Sequence, residues 1–269
     1  MFSQLKILIR DNLPHKYQVP MKYWLNARAG LLEDEMKFLS KIVNPKKLTI
    51  DIGGNRGIYT YRLWQLGANV EVFEPNPNCA SVLEAWSVRR KPAVNVHCVA
   101  LSDAPGTANL HIPVDDEGIE HDSSASLEHD DFSGVRDQVV NLRTLDSFAF
   151  ENVGFIKIDV EGHEFSVLSG AKQILESSKP ALLIEIEQRH CSRPIGEVFD
   201  AIKDIGYRGF YLDRPGTLIS LDNFSVDQDQ NSDNFGNSSR RYINNFLFLH
   251  ETRLSEHQYD SLLREFSYQ

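Results

Sequence analysis

Cysteine is scarce in this 269-residue chain, and the three present, Cys79, Cys98 and Cys191, have no CxxC spacing. An odd, scattered set argues against a disulfide framework and against a structural zinc site, and it suits a reducing, cytoplasmic setting. Long apolar runs are also missing. No stretch approaches about 18 consecutive apolar residues, so no membrane-spanning helix is expected. The first residues, MFSQLKILIRDNLPHKYQ, lack the apolar core and small-residue cleavage site of a secretory signal. Positive charge is in short supply: 28 Lys and Arg against 38 Asp and Glu give a formal charge of −10. That balance argues against a nucleic-acid surface, which needs clustered cations, and it disfavours an anionic membrane surface. Hydrophobic residues at 41% and charged residues at 25% are ordinary globular proportions. The length allows one large domain or two small ones.

Lys and Arg are absent altogether from two segments. Residues 115–131 hold eight acids (Asp115, Asp116, Glu117, Glu120, Asp122, Glu128, Asp130 and Asp131), and residues 222–234 hold four more (Asp222, Asp227, Asp229 and Asp233). Without them the chain would carry +2, so the acidity belongs to two segments.

Residues 1–46 read as a helical extension. Leu5, Leu8 and Ile9 share one face; Leu31, Leu32, Met36 and Leu39 form another stripe. These stripes and Trp24 are expected to pack on a core, a partner-binding or membrane-touching helix being the alternative. From residue 47 short apolar runs alternate with amphipathic segments. The runs are Leu48–Ile52, Val70–Phe73, Val94–Val99, Phe155–Val160, Ala181–Ile186 and Tyr207–Leu212; helical patterns lie near 57–67, 77–90, 163–177 and 195–206. This alternation predicts βαβ units and a mostly parallel sheet covered on both faces. Thr107–Ile112 and Gln138–Arg143 break it and predict an antiparallel ribbon around an acidic insert, 113–137. Asn245–Leu249 follows a long polar loop, 214–244, with no helix between, which suits an antiparallel last strand. Residues 47–250 thus read as one α/β domain, with 251–269 as a helical tail.

Four motifs can carry chemistry. In Thr49–Thr60 (TIDIGGNRGIYT) a buried strand ends at Asp51 and a glycine turn opens a helix. Gly53 and Gly57 permit positive φ, and the helix start offers free N–H groups. Asn55 stands where a dinucleotide-binding turn has its middle glycine, and no Gly-Lys-Ser/Thr follows. Glu74 ends the next strand, 23 residues after Asp51, near the spacing at which an acid reaches a ribose diol. The run Phe155–Glu164 (FIKIDVEGHE) delivers Asp159 to a strand's C-terminal end, with Glu161 and His163 beyond; an imidazole beside two carboxylates can act as a general base. Leu183–His190 (LIEIEQRH) places Glu185 and Glu187 on one sheet face, either toward a substrate or toward solvent. HExxH is absent, and no metal is expected.

At these residues the sequence resembles the FkbM family of S-adenosylmethionine-dependent methyltransferases. The matching pieces are Asp51–Gly57 (DIGGNRG), Phe73–Pro77 (FEPNP), Ala100–Asp103 (ALSD), Ser123–Leu127 (SSASL), Arg143–Asp146 (RTLD), Ile156–Glu164 (IKIDVEGHE), Val167–Ala171 (VLSGA) and Asn245–Leu249 (NFLFL), in the family's order. The resemblance implies a class I methyltransferase fold: a Rossmann-like, doubly wound seven-stranded sheet with the last strand antiparallel. It implies S-adenosylmethionine as donor and a hydroxyl acceptor on a glycan or small natural product. Asp51, Gly53, Gly54, Asn55 and Gly57, with Tyr59, would then line the methionine part of the donor. Glu74 with Pro75 would hold the ribose, Ala100 and Leu101 would flank the adenine, and Asp159 would sit near the sulfonium. Gly54 stands where the family often has Ala. His163 is often a small residue there, which weakens its case as base. Asp159 or His163 is expected to take the acceptor's proton, with Glu161 orienting the site. A catalytically silent binding module, an NAD-dependent oxidoreductase and metal-assisted transfer are the competing readings.

Overall fold

A computed structural model describes residues 13–128, 134–191, 193–214, 216–234 and 242–266. Leu5, Leu8 and Ile9, and Asp130 and Asp131 of the first acidic segment, lie outside the described residues. Among the described residues the N-terminal part holds two helices, α1 (His15–Ala29) and α2 (Leu39–Ile42), with a break at Gly30 and a 3₁₀ turn at Asp34–Lys37. Gln18, Val19 and Asn26 face inward on α1. Trp24 does not pack on the core: it is 54% exposed, and Leu31 is 58% exposed. Of the second stripe, Met36 and Leu39 are buried and Leu32 packs partly buried against the core.

The main sheet is built from β1 (Leu48–Ile52), β2 (Asn69–Phe73), β3 (Val94–His97), β7 (Val153–Ile158), β8 (Ala181–Glu185), β9 (Tyr207–Arg214), β10 (Thr217–Ser220) and β11 (Asn245–His250). Its order is β10-β9-β11-β8-β7-β1-β2-β3. β1 pairs in parallel with β2 and β7, and β11 lies antiparallel between β8 and β9. Seven strands follow the expected order of runs. The eighth, β10, forms inside the loop 214–244; it folds back on β9 and bonds its Leu218 N–H to the Phe266 carbonyl (2.9 Å). A second sheet holds β4 (Ala100–Leu101), β5 (Gly106–Pro113) and β6 (Val135–Arg143). β5 and β6 pair antiparallel from Gly106↔Leu142 to Pro113↔Val135, so the insert between them shrinks to 114–134.

Alternation along each strand sorts side chains to two layers. Ile50, Ile52, Ile156 and Ile158 face α5 (Glu164–Ser169), α6 (Lys172–Ser178) and α7 (Gly196–Asp204). Val70, Val72, Phe155 and Leu183 face α1, α3 (Ile58–Gln65) and α4 (Pro77–Ser87). Each fully buried Leu, Ile or Phe contributes roughly 1.5–3 kcal/mol. Burial on both faces is why these strands are near-continuous apolar runs. The expected helix 163–177 is split into α5 and α6, because Asp146, 27 residues upstream, accepts the N–H groups of Gln173 and Ile174 (3.0 and 3.1 Å) and starts a new helix. Among the described residues no helix is long and apolar enough to cross a membrane.

Candidate active site

The carboxyl ends of β1, β2 and β7 open into a shallow cleft. This is where ligands sit in open α/β sheets. The turn after β1 forms its floor. Gly53 and Gly54 both donate N–H bonds to the Phe73 carbonyl (2.9 and 3.1 Å), which draws the turn against the end of β2. Gly53 has φ +79, and a Cβ there would stand 1.8 Å from the Asp159 carbonyl oxygen, so only glycine fits. Gly54 is also fixed in this chain, since a Cβ would stand 2.3 Å from Val72 Cγ1.

Glu74 is buried at the cleft wall. Asn55 N–H donates to its Oε2 (2.6 Å) and Asn76 N–H to its Oε1 (2.8 Å). Each carboxylate oxygen therefore keeps a lone pair for another donor. Burial pushes Glu74 up to about 7; the two N–H bonds oppose the shift, and the charge of Asp122 adds to it. Pro75, Ala100, Leu101, Leu110, Ala125 and Leu127 complete an apolar surround.

The first acidic segment crosses this cleft and is tied at both ends. At one end Asp122 accepts from Arg56 (2.9 and 2.7 Å) and from Asn76 Nδ2 (3.0 Å), while its carbonyl accepts from Asn55 Nδ2 (3.1 Å). At the other, Ser126 Oγ donates to the Glu161 carbonyl (2.7 Å) and Glu128 lies 2.6 Å from His163 Nδ1. The second acidic segment lines no part of the cleft. Its Asp229 is buried and accepts the Ser225 N–H (2.9 Å), and the neighbouring Gln230 amide donates to the carbonyls of Ile186 (2.7 Å) and Ile243 (2.8 Å).

Asp159, Glu161 and His163 all line the cleft. The Glu161 carboxylate lies 2.6 Å from His190 Nδ1. Both ring nitrogens of His163 are engaged, Nε2 being 2.9 Å from Ser102 Oγ. Behind Asp159 stands Lys157, 1% exposed on β7. Its Nζ is 3.7 Å from Asp159, 3.9 Å from Glu185 and 4.9 Å from the centre of the Tyr59 ring. Burial works against its charge, but Asp159 and Glu185 outweigh burial and hold it firmly protonated. Burial, reinforced by Asp159, raises Glu185 well above the usual carboxylate range. Asn244 Nδ2 spans Glu185 (2.6 Å) and Glu187 (3.4 Å), so the two strand-end acids do come together.

Of the residues expected at the donor, Gly53, Asn55, Glu74, Pro75, Ala100, Leu101 and Asp159 line the cleft; Asp51, Gly54, Gly57 and Tyr59 stand behind it. Asp51, pushed up to about 6 by burial, accepts from Thr60 Oγ1 (2.5 Å), and Tyr59 donates its hydroxyl to Glu33 (2.5 Å). Asp122, Asn76, Ser126, Lys157 and His190 carry the arrangement without having been singled out by sequence. Ser126 lies within a motif piece, but its partner is 35 residues away.

Comparison with known proteins places this geometry. The model of the methyltransferase FkbM domain matches residues 51–208. The crystal structure of a methyltransferase FkbM from Methylobacillus flagellatus is 17% identical, with a TM-score of 0.50; the match covers 82% of this chain and 46% of that one, so the present chain spans about half of that protein's length. A TehB-like SAM-dependent methyltransferase from Corynebacterium glutamicum is 13% identical, covering 87% of this chain and 96% of that one, with a TM-score of 0.38. Magnesium protoporphyrin IX methyltransferase from Synechocystis, solved with bound SAM, is 12% identical over 93% and 83% of the two chains, with a TM-score of 0.37. No curated protein matches in sequence.

Proposed function

The chain belongs to the FkbM family of methyltransferases, and from that footing we propose that it moves a methyl group from S-adenosylmethionine to a hydroxyl of a glycan or small natural product. When bound, the donor supplies a methyl group on a positively charged sulfur, open to in-line attack by the acceptor oxygen. The observation that carries the reading is the Glu74 clamp: two backbone N–H bonds hold the carboxylate while both oxygens keep a free lone pair for a ribose diol. The other cleft residues fit the same group. Gly53 lines the cleft tight against the Asp159 backbone, and Ala100, Leu101 and Leu127 offer an apolar slot for a flat base.

Asp159 is the group we assign to the acceptor's proton. Its side chain is 31% exposed at the cleft wall, with Lys157 Nζ 3.7 Å behind it. As the C–O bond forms, the hydroxyl proton passes to this carboxylate. His163 is less suited to the task, with both nitrogens engaged. Glu74, Asp122, Asp159 and Glu161 all line the cleft, which favours a neutral or cationic acceptor over a phosphorylated one. The dinucleotide reading loses support, because the Asn55 N–H is spent on Glu74 instead of being free for a pyrophosphate.

Calorimetry with S-adenosylmethionine and its demethylated product tests the donor. Wild type should bind both, and Glu74→Ala should lose at least tenfold. Failure of wild type to bind either would sink the proposal. Labelled-methyl turnover against hydroxylated glycans and aglycones then reads the acceptor.

A further inference from the structure

Six large hydrophobic side chains are well exposed among the described residues, and four of them, Tyr17, Met21, Trp24 and Leu31, fall within fifteen consecutive positions. Tyr17, Met21, Trp24 and Arg28 follow the spacing i, i+4, i+7, i+11, so they form a narrow stripe on the outer side of α1. Cations accompany it. Lys16 lies 4.9 Å from the centre of the Tyr17 ring, and the Arg28 guanidinium 5.6 Å from that of Trp24. From residue 12 to 32 the sequence has Lys16, Lys22 and Arg28 and no Asp or Glu, a net +3 in a chain of −10. The whole-chain charge that speaks against an anionic surface is reversed here.

The inner side of the same helix packs at the cleft's flank. Val19 lies over the turn at Gly57, and Gln18 Oε1 accepts from Arg56 (3.2 Å), the residue that holds Asp122. The stripe is thus fixed to a rigid part of the molecule.

We propose that this face docks on an anionic lipid bilayer. Tyr and Trp combine an apolar ring with a polar edge and settle at the headgroup boundary, and exposed cations among them add attraction to anionic lipid. Docking is superficial: the helix lies in the interface plane, and the glycine turn and strap stay on the watery side beside it.

Co-sedimentation of the full chain with vesicles of phosphatidylcholine alone, and with about 40% phosphatidylglycerol, tests this. Binding should favour the anionic vesicles at least tenfold in 0.05 M salt and fall steeply at 0.5 M. Lys16→Glu with Arg28→Glu should reduce it at least tenfold, as should Tyr17→Ser with Trp24→Ser. Both variants alter exposed side chains, so their melting temperatures and donor binding should match wild type. Absence of binding to anionic vesicles overturns the proposal, and so does equal binding by the variants. Light scattering that shows a dimer broken by Tyr17→Ser with Trp24→Ser would also overturn it, since a second copy would then be the occupant.

Discussion

Two segments of this chain share a composition, acidic, polar and free of Lys and Arg, yet they do different work. The segment after β5 straps the cleft: Asp122 gathers Asn55, Arg56 and Asn76 at one end, and Ser126 and Glu128 meet Glu161 and His163 at the other. The segment after β10 turns away and is used as filling, with Gln230 bonding the carbonyls of Ile186 and Ile243. Composition therefore reports solvation, and the strand that a segment leaves from decides whether it can touch substrate. Of the two, only the first segment contributes to the cleft lining, through Asp122, Ala125 and Leu127.

The sharpest way to break this contrast is Asp122→Ala. Removing one partner of a largely buried ion pair leaves Arg56 uncompensated, at a cost of about 3 kcal/mol. It also frees Asn55 and Asn76, both of which frame Glu74. Melting temperature should fall, and calorimetric affinity for S-adenosylmethionine should drop about tenfold or more. Gln230→Ala makes the matching test on the other segment. Two buried carbonyls lose their donor, at about 1–3 kcal/mol each. The melt should shift as much, while donor affinity stays within about twofold. If Gln230→Ala weakens the donor as much as Asp122→Ala does, the two segments are not distinct.

A pH titration sharpens the comparison. Glu74 is raised from an ordinary 4.5 to about 7, so its contribution to stability is full below about 4.5 and is lost as pH rises through 7. Donor affinity should move the opposite way, rising severalfold between pH 6 and 8, because the ionised carboxylate accepts the diol more strongly. Asp122→Asn should lower the midpoint of that rise, whereas Asp227→Asn should leave it in place.

Glu164 offers a control apart from both segments. It is buried, its Oε2 lacks a partner, and burial pushes it up to about 7. Glu164→Gln should therefore raise the melting temperature by roughly 4–8 °C at pH 8 and have little effect at pH 5. The smallest effect is expected from exposed acids. Neutralising Asp116, Glu117 and Asp227 together should change stability by less than about 0.5 kcal/mol per site. Any change in acceptor use should vanish as salt rises from 0.02 to 0.3 M.

The legible parts of the fold were those governed by local pattern. Strands buried on both faces can only be apolar runs, so Leu48–Ile52 and Ala181–Glu185 announce themselves. Thr217–Ser220 does not, because a four-residue strand inside a polar loop has too little periodicity to read. The split at Gly170 depends on Asp146 arriving from another element. Trp24 was misplaced because a helical stripe has the same spacing whether it faces a core or solvent. In the site, Glu74 and Asp159 were readable from their strand ends. Asp122 was not, since its contacts with Asn55 and Arg56 span 67 and 66 residues and exist only once the ribbon has folded.

The hairpin of β9 and β10 also bears on how copies of this protein meet one another. Without it, β9 would end the sheet as an open ladder of eight residues, a template for pairing with another chain. β10 replaces that margin with four residues, a register shift between Thr217 and Leu218, and one N–H already taken by Phe266. The last described helix, α8 (Asp260–Glu265), leads into Phe266 and so leaves β10 one fewer free donor for intermolecular strand addition.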